Sequence, residues 1–354
     1  MFKLLKQLTE LQGPSGFEQP VTSYIKEKVT PLCDEVKVDA IGNVIARFKG
    51  NKPGPKVLLT AHMDEIGFIV KKVEKNGLIR FEKLGGHDDR ILLAQKVMVR
   101  SEKGPKLGII GTISVHYQKF DNSQKVRDYK QLYVDVGASS LADVEEMGIA
   151  VGDPITWDSQ VEFLGDEQNG KIVGKGFDDR AGCAVLIQLL EDLQNKEFSG
   201  EVIALFAVQE EVGLRGAKVA LANLEFDIAI ALDTTAVSDT PEDVMDNTLQ
   251  IGGGVGIKIM DSSLISHPAV KDKLVELART GKIKHQLEIF TGIGTDAGAV
   301  TLANKGVPTG VLSIPSRNAH SPVEVIDLKD LESVKELLTA FIKNDNQKSD
   351  FLFY

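Results

Sequence analysis

The sequence predicts an α/β fold in which a mixed, mostly parallel sheet is sandwiched by helices and interrupted by an inserted β-barrel domain. From residue 172 onward, apolar runs alternate with segments of helical period, as in parallel sheets covered on both faces; the clearest runs are VIALFAV, IAIALD and VPTGVLSI. Between residues 68 and 161 the β-type runs are shorter and are separated by Asn-Gly and Gly-Pro turn signals. These patterns predict a main domain of residues 1–67 and 162–354 and a barrel domain of residues 68–161.

The elements of the main domain follow in chain order. Apolar residues recur at helical spacing in MFKLLKQLTELQG, and a second amphipathic helix is expected over residues 18–30, where Pro31 ends it. Residues 34–48 alternate around a Gly-Asn turn, which is typical of a strand pair, and the apolar run KVLLTAH indicates a buried strand. Later helices are expected near residues 180–196, 213–223, 268–281, 295–305 and 328–345.

Length and composition limit the classes of protein to which the chain can belong. A chain of 354 residues with 42% hydrophobic and 26% charged residues is typical of a folded protein with two domains. The excess of 51 acidic over 41 basic residues disfavours binding to nucleic acid or to an anionic membrane, since both need clustered cations. No apolar stretch approaches the ~20 residues that span a bilayer. Cys33 and Cys183 form no metal or disulfide motif, so we expect a cytoplasmic location.

Polar residues directly after apolar strands are the first candidates for a site, because ligands of open α/β sheets bind outside the carboxyl ends of the strands. His62 and Asp64 are spaced so that both side chains lie on one face, where Asp64 could orient the imidazole. Glu210 and Glu211 follow VIALFAV and point in opposite directions, so one could bind a metal while the other acts as a base. Considered alone, His62 and Asp64 are more typical of a structural role. Glu210 and Glu211 are equally consistent with a structural and a functional role.

Three more candidates follow strands or open a helix. Asp178 stands in GKGFDDRAG, Asp233 ends FDIAIALD, and His320 lies in the loop segment SRNAHSP. Taken singly, each has a simpler explanation: a helix cap for the aspartates and an exposed loop for the histidine. Taken together with His62 and Glu211, they would converge at one rim of the sheet. Such imidazole and carboxylate ligands suit zinc, cobalt or manganese, and could hold two ions roughly 3.5–4 Å apart.

Five segments resemble the metal-binding signatures of the cocatalytic dinuclear-zinc aminopeptidases: TAHMDEIG, GKGFDDRAG, QEEVGLRGA, ALDTT and RNAHSP. Among these enzymes the chain is most similar to the family of the tetrahedral, or TET, aminopeptidases and the bacterial glutamyl aminopeptidase, and the similarity runs nearly end to end. The resemblance implies a zinc-peptidase fold of the phosphorylase/hydrolase-like type. It also implies that the inserted barrel builds homodimers, which assemble into a dodecamer.

The resemblance assigns roles to individual residues. It implies that Asp178 bridges two metal ions and is joined to Asp179 by a cis peptide, that Glu210 is the general base, and that Asp64 stands behind the metal-binding His62. The ions are expected to be Zn²⁺, with Co²⁺ as the alternative. The implied ligands are His62 and Asp233 for one ion, Glu211 and His320 for the other, and Asp178 for both.

These roles predict a metal-dependent aminopeptidase that uses metal-activated water to remove the N-terminal residue of short peptides, with a preference for Glu or Asp. An acidic preference needs a cation in the substrate pocket. Lys258 is the first candidate, followed by Arg215 and Arg317. Thr295 and Asp296, in the run GIGTDA, are expected to shape the same pocket.

Two other functions stay open at the level of sequence. A metallo-deacylase or carboxypeptidase of the same superfamily could use the same ligands, and comparing a free with an N-acetylated peptide separates these enzymes from an aminopeptidase. An inactive metal-binding assembly protein would keep the ligands only for structure. The complete ligand set and the presence of Glu210 argue against that last alternative.

Overall fold

The computed structural model of the chain describes residues 1–114, 116–117, 125–241 and 249–352. Its α-helices are α1 (Phe2–Glu10), α2 (Gln19–Val29), α3 (Leu141–Glu146), α4 (Phe177–Asp192), α5 (Arg215–Leu221), α6 (Pro268–Thr280), α7 (Ala297–Val300) and α8 (Leu328–Lys343). Its strands are β1 (Glu35–Val38), β2 (Val44–Lys49), β3 (Lys52–His62), β4 (Gly67–Val73), β5 (Ile79–Leu84), β6 (Lys96–Ser101), β7 (Gly104–Ile110), β8 (Val134–Asp135), β9 (Pro154–Trp157), β10 (Glu162–Phe163), β11 (Lys171–Gly174), β12 (Ser199–Ala207), β13 (Ile228–Ala236), β14 (Val255–Met260), β15 (His285–Ile289), β16 (Thr309–Ser316) and β17 (Glu324–Asp327).

Eight strands form one sheet in the order β1-β2-β12-β3-β13-β16-β14-β15. The pairs β12–β3, β3–β13, β13–β16 and β14–β15 are parallel, and the other neighbouring pairs are antiparallel. The sheet is therefore mixed and mostly parallel, which confirms the predicted fold class. Because β12, β3, β13 and β16 run in one direction, the loops that follow them emerge at the same edge.

Helices cover both faces of this sheet because its central strands are apolar on both sides. Leu59 and Ala61 of β3 pack into the core that includes α1, α2, α4, α6 and α8, whereas Leu58, directly before Leu59, packs with α5 and α7. All three side chains are at most 1% exposed. The alternation along β3 thus sends successive side chains to opposite helix layers. Truncating one of these leucines to alanine would cost about 2–5 kcal/mol of stability.

A closed barrel of six strands, in the order β4-β5-β8-β7-β6-β9, follows β3 in the chain. Phe68 and Trp157 pack edge to face in its core, with ring centroids 5.0 Å apart, and both are at most 1% exposed. The barrel strands run from Gly67 to Trp157. The division of the chain at residues 68 and 161 stays a prediction. Strands β10, β11 and β17 form a small antiparallel sheet that is separate from the eight-stranded sheet and from the barrel.

The helix predictions hold within a few residues except near residue 300. The helix expected over 295–305 is reduced to α7, which has four residues. The backbone turns left-handed soon afterwards, with φ of 52° at Asn304 and 90° at Lys305, and this conformation ends a right-handed helix. None of the helices in the described ranges is long and apolar enough to cross a membrane.

Candidate active site

Strand ends and loops at one edge of the sheet enclose a cleft of about 580 Å³. His62 is the last residue of β3, and Glu211 lies just beyond the end of β12. Asp178 stands in the first turn of α4, at a cis peptide bond to Asp179, as the resemblance implies. The structure brings together all the candidate ligands and the candidate base, which line the cleft: His62, Asp178, Glu210, Glu211, Asp233 and His320.

Asp178 lies between the two histidines. Its Oδ1 is 3.0 Å from Nε2 of His62, and its Oδ2 is 3.4 Å from Nε2 of His320. On the far side of His62, Oδ1 of Asp233 lies 3.8 Å from the same Nε2. Beside His320, Oε1 of Glu211 lies 3.1 Å from Nε2. Each oxygen of the central carboxylate therefore faces one imidazole, and each imidazole faces a second carboxylate.

This donor set fits divalent metal ions. One ligand atom from each of His62, Asp178 and Glu211 lies within 4.8 Å of the others. Oε1 of Glu211 is buried, and in the described part of the chain it makes no contact with hydrogen-bond geometry, although it faces Nε2 of His320. Buried carboxylate oxygens are seldom left without a partner, and a cation would satisfy this one. Imidazole nitrogens combined with carboxylate oxygens suit zinc and similar ions.

The electrostatics of the cleft also favour bound cations. Burial raises the pKa of Asp233 well above its usual range, and the charge of Asp178 adds to this effect. Burial likewise raises the pKa of Glu211. Burial acts to raise the pKa of Asp178 as well, but hydrogen bonds from His320 and His62 outweigh it and hold that pKa far below its usual range. Carboxylates crowded in a buried place ionise readily only when positive charge is supplied.

Asp64 fixes groups on two sides of the cleft. Its Oδ1 lies 3.4 Å from Nδ1 of His62, and its backbone oxygen is 3.2 Å from the same nitrogen. Oδ1 also accepts the N–H of Glu210 at 3.0 Å, while Oδ2 accepts the N–H of Glu211 at 3.3 Å. The hydroxyl of Ser15 donates to Oδ2 at 2.6 Å. One fully buried carboxylate thus orients an imidazole and the backbone of two acidic residues.

Two contacts that fix His320 are absent from the sequence predictions. Oε1 of Glu324 accepts the N–H of His320 at 3.1 Å, and Oε2 accepts the N–H groups of Phe177 and Asp178 at 2.6 and 3.3 Å. Nδ1 of His320 lies 2.9 Å from the carbonyl oxygen of Gly86, in a loop that follows β5 of the barrel. The sequence signal that could have indicated Glu324 is its position four residues after the candidate ligand His320, in HSPVE. Nothing in a sequence marks a carbonyl oxygen such as that of Gly86.

Glu18 supports the turn that carries the candidate base. Gln209 has a left-handed φ of 54°, and its N–H donates to Oε1 of Glu18 at 3.0 Å. The N–H of Gly16 donates to the same oxygen at 2.8 Å. Burial, followed by the charge of Asp64, raises the pKa of Glu18 to about 7. Glu18 lies in the segment SGFE, and the sequence alone assigned it no role.

The predicted specificity cations are not on the cleft wall. Nζ of Lys258 lies 3.2 Å from Oε1 of Glu288, and both side chains are fully buried behind the cleft. Arg317 donates from Nε and Nη2 to the carboxylate of Asp239 at 2.6 and 2.7 Å. Both cations are therefore already paired with an acidic residue of the chain.

The remaining predicted pocket residues also lie off the wall. Arg215 reaches Oε1 of Gln209 at 3.4 Å rather than entering the cleft. Thr295 and Asp296 are 0% and 3% exposed, and the wall is formed instead by residues 292–294 just before them. Both carboxylate oxygens of Asp296 are buried without a hydrogen-bond partner in the described ranges. Their contribution to the pocket stays a prediction.

Known proteins match the chain over most of its length. A family model described as M42 glutamyl aminopeptidase matches residues 42–337. The glutamyl aminopeptidase of Lactococcus lactis is 32% identical over 98% of this chain and 97% of its own. The lysyl aminopeptidase of Pyrococcus furiosus is 33% identical over 97% of this chain and 96% of its own.

Solved structures match equally well. The aminopeptidase APDkam598 of Desulfurococcus kamchatkensis superposes with a TM-score of 0.93 at 40% identity, covering 99% of this chain and 96% of that one. The TET1 peptidase of Pyrococcus horikoshii, which can assemble into a tetrahedron or a large octahedral shell, gives a TM-score of 0.87 at 32% identity, covering 97% and 99%. The fold, the residues of the cleft and these matches lead to one conclusion: the chain belongs to the M42 glutamyl aminopeptidase family and is an aminopeptidase.

Proposed function

We propose that this aminopeptidase holds two divalent metal ions in the cleft, with Asp178 between them. The observation that carries the proposal is the position of Asp178, whose two oxygens face His62 at the end of β3 and His320 in the loop after β16. His62 and Asp233 would hold one ion, and Glu211 and His320 the other. Zinc fits this donor set, with cobalt as the alternative.

Glu210 is proposed as the general base. When bound, the metal ions would polarise the carbonyl group of the N-terminal residue and activate water. Glu210 takes a proton from the attacking water and passes it to the leaving amine. Its backbone N–H is held by Asp64, its side chain lines the cleft, and no described residue donates a hydrogen bond to its carboxylate. Both oxygens are therefore available to water.

The Glu210→Gln variant tests this role. It should bind as much metal as the wild type, as measured by elemental analysis, while kcat on aminoacyl anilides falls by about 10²–10⁴-fold. Glu225→Gln, at an exposed position, serves as the matched control and should leave kcat unchanged. Substantial turnover by metal-replete Glu210→Gln would remove Glu210 from the mechanism.

A preference for N-terminal Glu or Asp is the finer part of the proposal. The description of the family model and the Lactococcus relative support it, whereas the Pyrococcus furiosus relative is a lysyl aminopeptidase of similar identity. No lysine or arginine lines the cleft within the described ranges. The buried Lys258 acts through space on Asp233, at the cleft, and could attract an acidic side chain in the same way.

A substrate panel tests both the reaction and the preference. Metal-free protein is assayed on Glu, Asp, Leu and Lys anilides before and after addition of zinc or cobalt. Metal-dependent release that is fastest for Glu and Asp is the expected result. Faster release from Leu or Lys would reject the acidic preference, and hydrolysis of N-acetylated but not free peptides would favour the deacylase alternative.

We also propose that the barrel builds dimers which assemble into a dodecamer. Leu107 and Ile109 on β7 are 51% and 47% exposed, although Gly108 and Ile110 beside them are buried. Neighbouring exposed apolar side chains on one strand are typical of an interaction surface. Native mass spectrometry should give twelve chains for the wild type and smaller species for the Leu107→Asp/Ile109→Asp double variant. A monomeric wild type would contradict the proposal.

The cytoplasm is proposed as the location of the enzyme, with short peptides as its substrates. Cys33 and Cys183 are both free thiols in the structure, and Cys183 is buried. Free thiols persist in a reducing compartment. Fractionation of cells that produce the protein should recover its activity with cytoplasmic markers, and recovery from the medium would contradict this location.

A further inference from the structure

The active-site cleft continues past His320 into a second cavity of about 390 Å³. The cleft and this cavity, here called the side pocket, share three lining residues: Asp88, Ala319 and His320. Of the five candidate metal ligands, only His320 lines the side pocket. A peptide bound at the ligands can therefore reach the side pocket directly, across one imidazole ring.

The lining of the side pocket is largely apolar. Ile91, Pro322 and Val323 contribute hydrocarbon surface, and Val323 is 50% exposed. Asp88 carries a charge at the shared edge, but both of its oxygens accept hydrogen bonds from Nε of Arg90, at 2.9 and 2.8 Å. No lysine or arginine is among the lining residues in the part of the chain that the structure describes. An apolar group would therefore be better accommodated here than a carboxylate.

The wall formed by residues 318–323 is held in place by hydrogen bonds. The hydroxyl of Ser159 donates to the carbonyl oxygen of Pro322 at 2.6 Å, and the N–H of Val323 donates to Oγ of Ser321 at 3.1 Å. Nδ2 of Asn318 donates to the carbonyl oxygen of Val323 at 3.2 Å. The side pocket is thus preformed, and binding need not order its wall.

We propose that the side pocket receives the side chain of the second residue of the peptide and selects apolar side chains there. This inference rests on the proposed function of the cleft. The bond to be broken lies at the metal ligands, so the first residue and the leaving peptide occupy opposite sides of them. The first residue fits the cleft wall near Thr234, Ala236 and Ile293, and the second residue then lies beyond His320.

Dipeptides and a simple amide separate this inference from the proposed function. The metal-loaded full chain is assayed on one favoured N-terminal residue joined to ammonia, Gly, Leu, Asp or Lys. The amide has no second side chain and reports only on the cleft. The Leu dipeptide should exceed the Asp dipeptide by about tenfold or more in kcat/KM, the scale of discrimination by an apolar pocket.

The variant Val323→Asp places a carboxylate in the apolar lining of the side pocket and changes none of the candidate ligands. It should lower kcat/KM for the Leu dipeptide and raise the ratio of Lys to Leu dipeptide by about tenfold. This ratio compares two substrates of the same preparation, so it does not depend on the total activity of the variant. Leu302→Asp, at a position 79% exposed and outside both cavities, is the matched control and should change none of these values.

Three results would overturn the inference. Failure of the metal-loaded enzyme to hydrolyse the amide and every dipeptide would remove the proposed function and the inference with it. Hydrolysis of the amide with equal rates for the Leu and Asp dipeptides would leave the proposed function standing and reject the side pocket as a selective site. A Val323→Asp variant that changes the choice of the first residue instead of the second would place the N-terminal side chain in the side pocket.

Discussion

The backbone N–H of His320 donates a hydrogen bond to Oε1 of Glu324 at 3.1 Å, while the other oxygen of the same carboxylate accepts from Phe177 and Asp178. Two candidate metal ligands that are far apart in sequence are thus held by one buried side chain, which is 2% exposed. Residues in this position commonly control metal affinity without touching the metal.

Substituting Glu324 should therefore give graded losses. Glu324→Ala removes all three acceptor contacts, and we expect metal affinity or activity to fall by about 10–100-fold. Glu324→Gln keeps one carbonyl oxygen as an acceptor but presents an N–H group in place of the other oxygen. It can therefore hold either His320 or the start of α4 but not both, and its loss of metal affinity and activity should be intermediate. Metal titrations and kcat on an anilide measure both effects. Wild-type metal affinity in Glu324→Ala would contradict a positioning role.

Removal of metal should lower stability as well as activity. The cleft gathers carboxylates whose pKa values are raised chiefly by burial, so bound cations should favour the folded state. At a free metal concentration about 100 times Kd, one site contributes about 2.7 kcal/mol. Thermal unfolding with and without chelator measures this change. Asp178→Asn should respond far less to added zinc, and an equal response would exclude Asp178 as a shared ligand.

The buried pair of Lys258 and Glu288 gives a prediction that separates stability from specificity. Lys258→Met would leave Glu288 buried without its cation and should cost about 3–5 kcal/mol. The Lys258→Met/Glu288→Leu double variant should recover much of this loss, as measured by denaturant unfolding. Anilide assays on the double variant then show whether Lys258 favours acidic substrates. Equal losses on Glu and Leu anilides would reject that role.

His87 should make the protein sensitive to acid. Its ring stacks on Phe68 with centroids 4.3 Å apart, Nε2 lies 2.8 Å from the carbonyl oxygen of Gly67, and burial is the main cause that lowers its pKa to about 4. An unfolded histidine titrates near 6.5, so below that pH the unfolded chain binds the extra proton and stability is lost as the pH falls to about 4.

The size of this effect can be measured by comparing His87→Phe with the wild type. The shift corresponds to at most about 3 kcal/mol, which the wild type should lose between pH 6.5 and 4 in excess of the variant. Urea unfolding of both metal-free proteins across this range supplies the values. If the two proteins lose stability in parallel, His87 is not the titrating group.

The sequence alone predicted that the candidate ligands placed after strands would meet at one edge of the sheet. His62, Glu211 and Asp233 each come at the end of an apolar run, and parallel strands bring such ends together. Asp178 and His320 lie in a helix start and a loop, where a single sequence constrains position less. The individual metal-binding roles of all five residues rested on the family resemblance.

The partner of Lys258 could not be predicted in the same way. Lys258 and Glu288 are direct neighbours across the parallel pair β14–β15, a register that depends on how the whole sheet assembles. In the sequence of either strand alone, Lys258 and Glu288 each appear as a charge without a partner. The sequence therefore offered Lys258 as a candidate cation for the substrate and gave no sign of its partner on the adjacent strand.

Through the contact between Nδ1 of His320 and the carbonyl oxygen of Gly86, the inserted barrel domain helps to orient a candidate metal ligand. A chain shortened by deleting the barrel would retain the five candidate ligands and Glu210, but it would lose His87 and Asp88 from the cleft wall and the acceptor of Nδ1 of His320. A change in the loop at Gly86 that removes this acceptor would therefore reach a candidate metal ligand. A displacement of the barrel would move this acceptor, and it would also disturb the hydrogen bond from Ser159 to Pro322 in the wall beside His320.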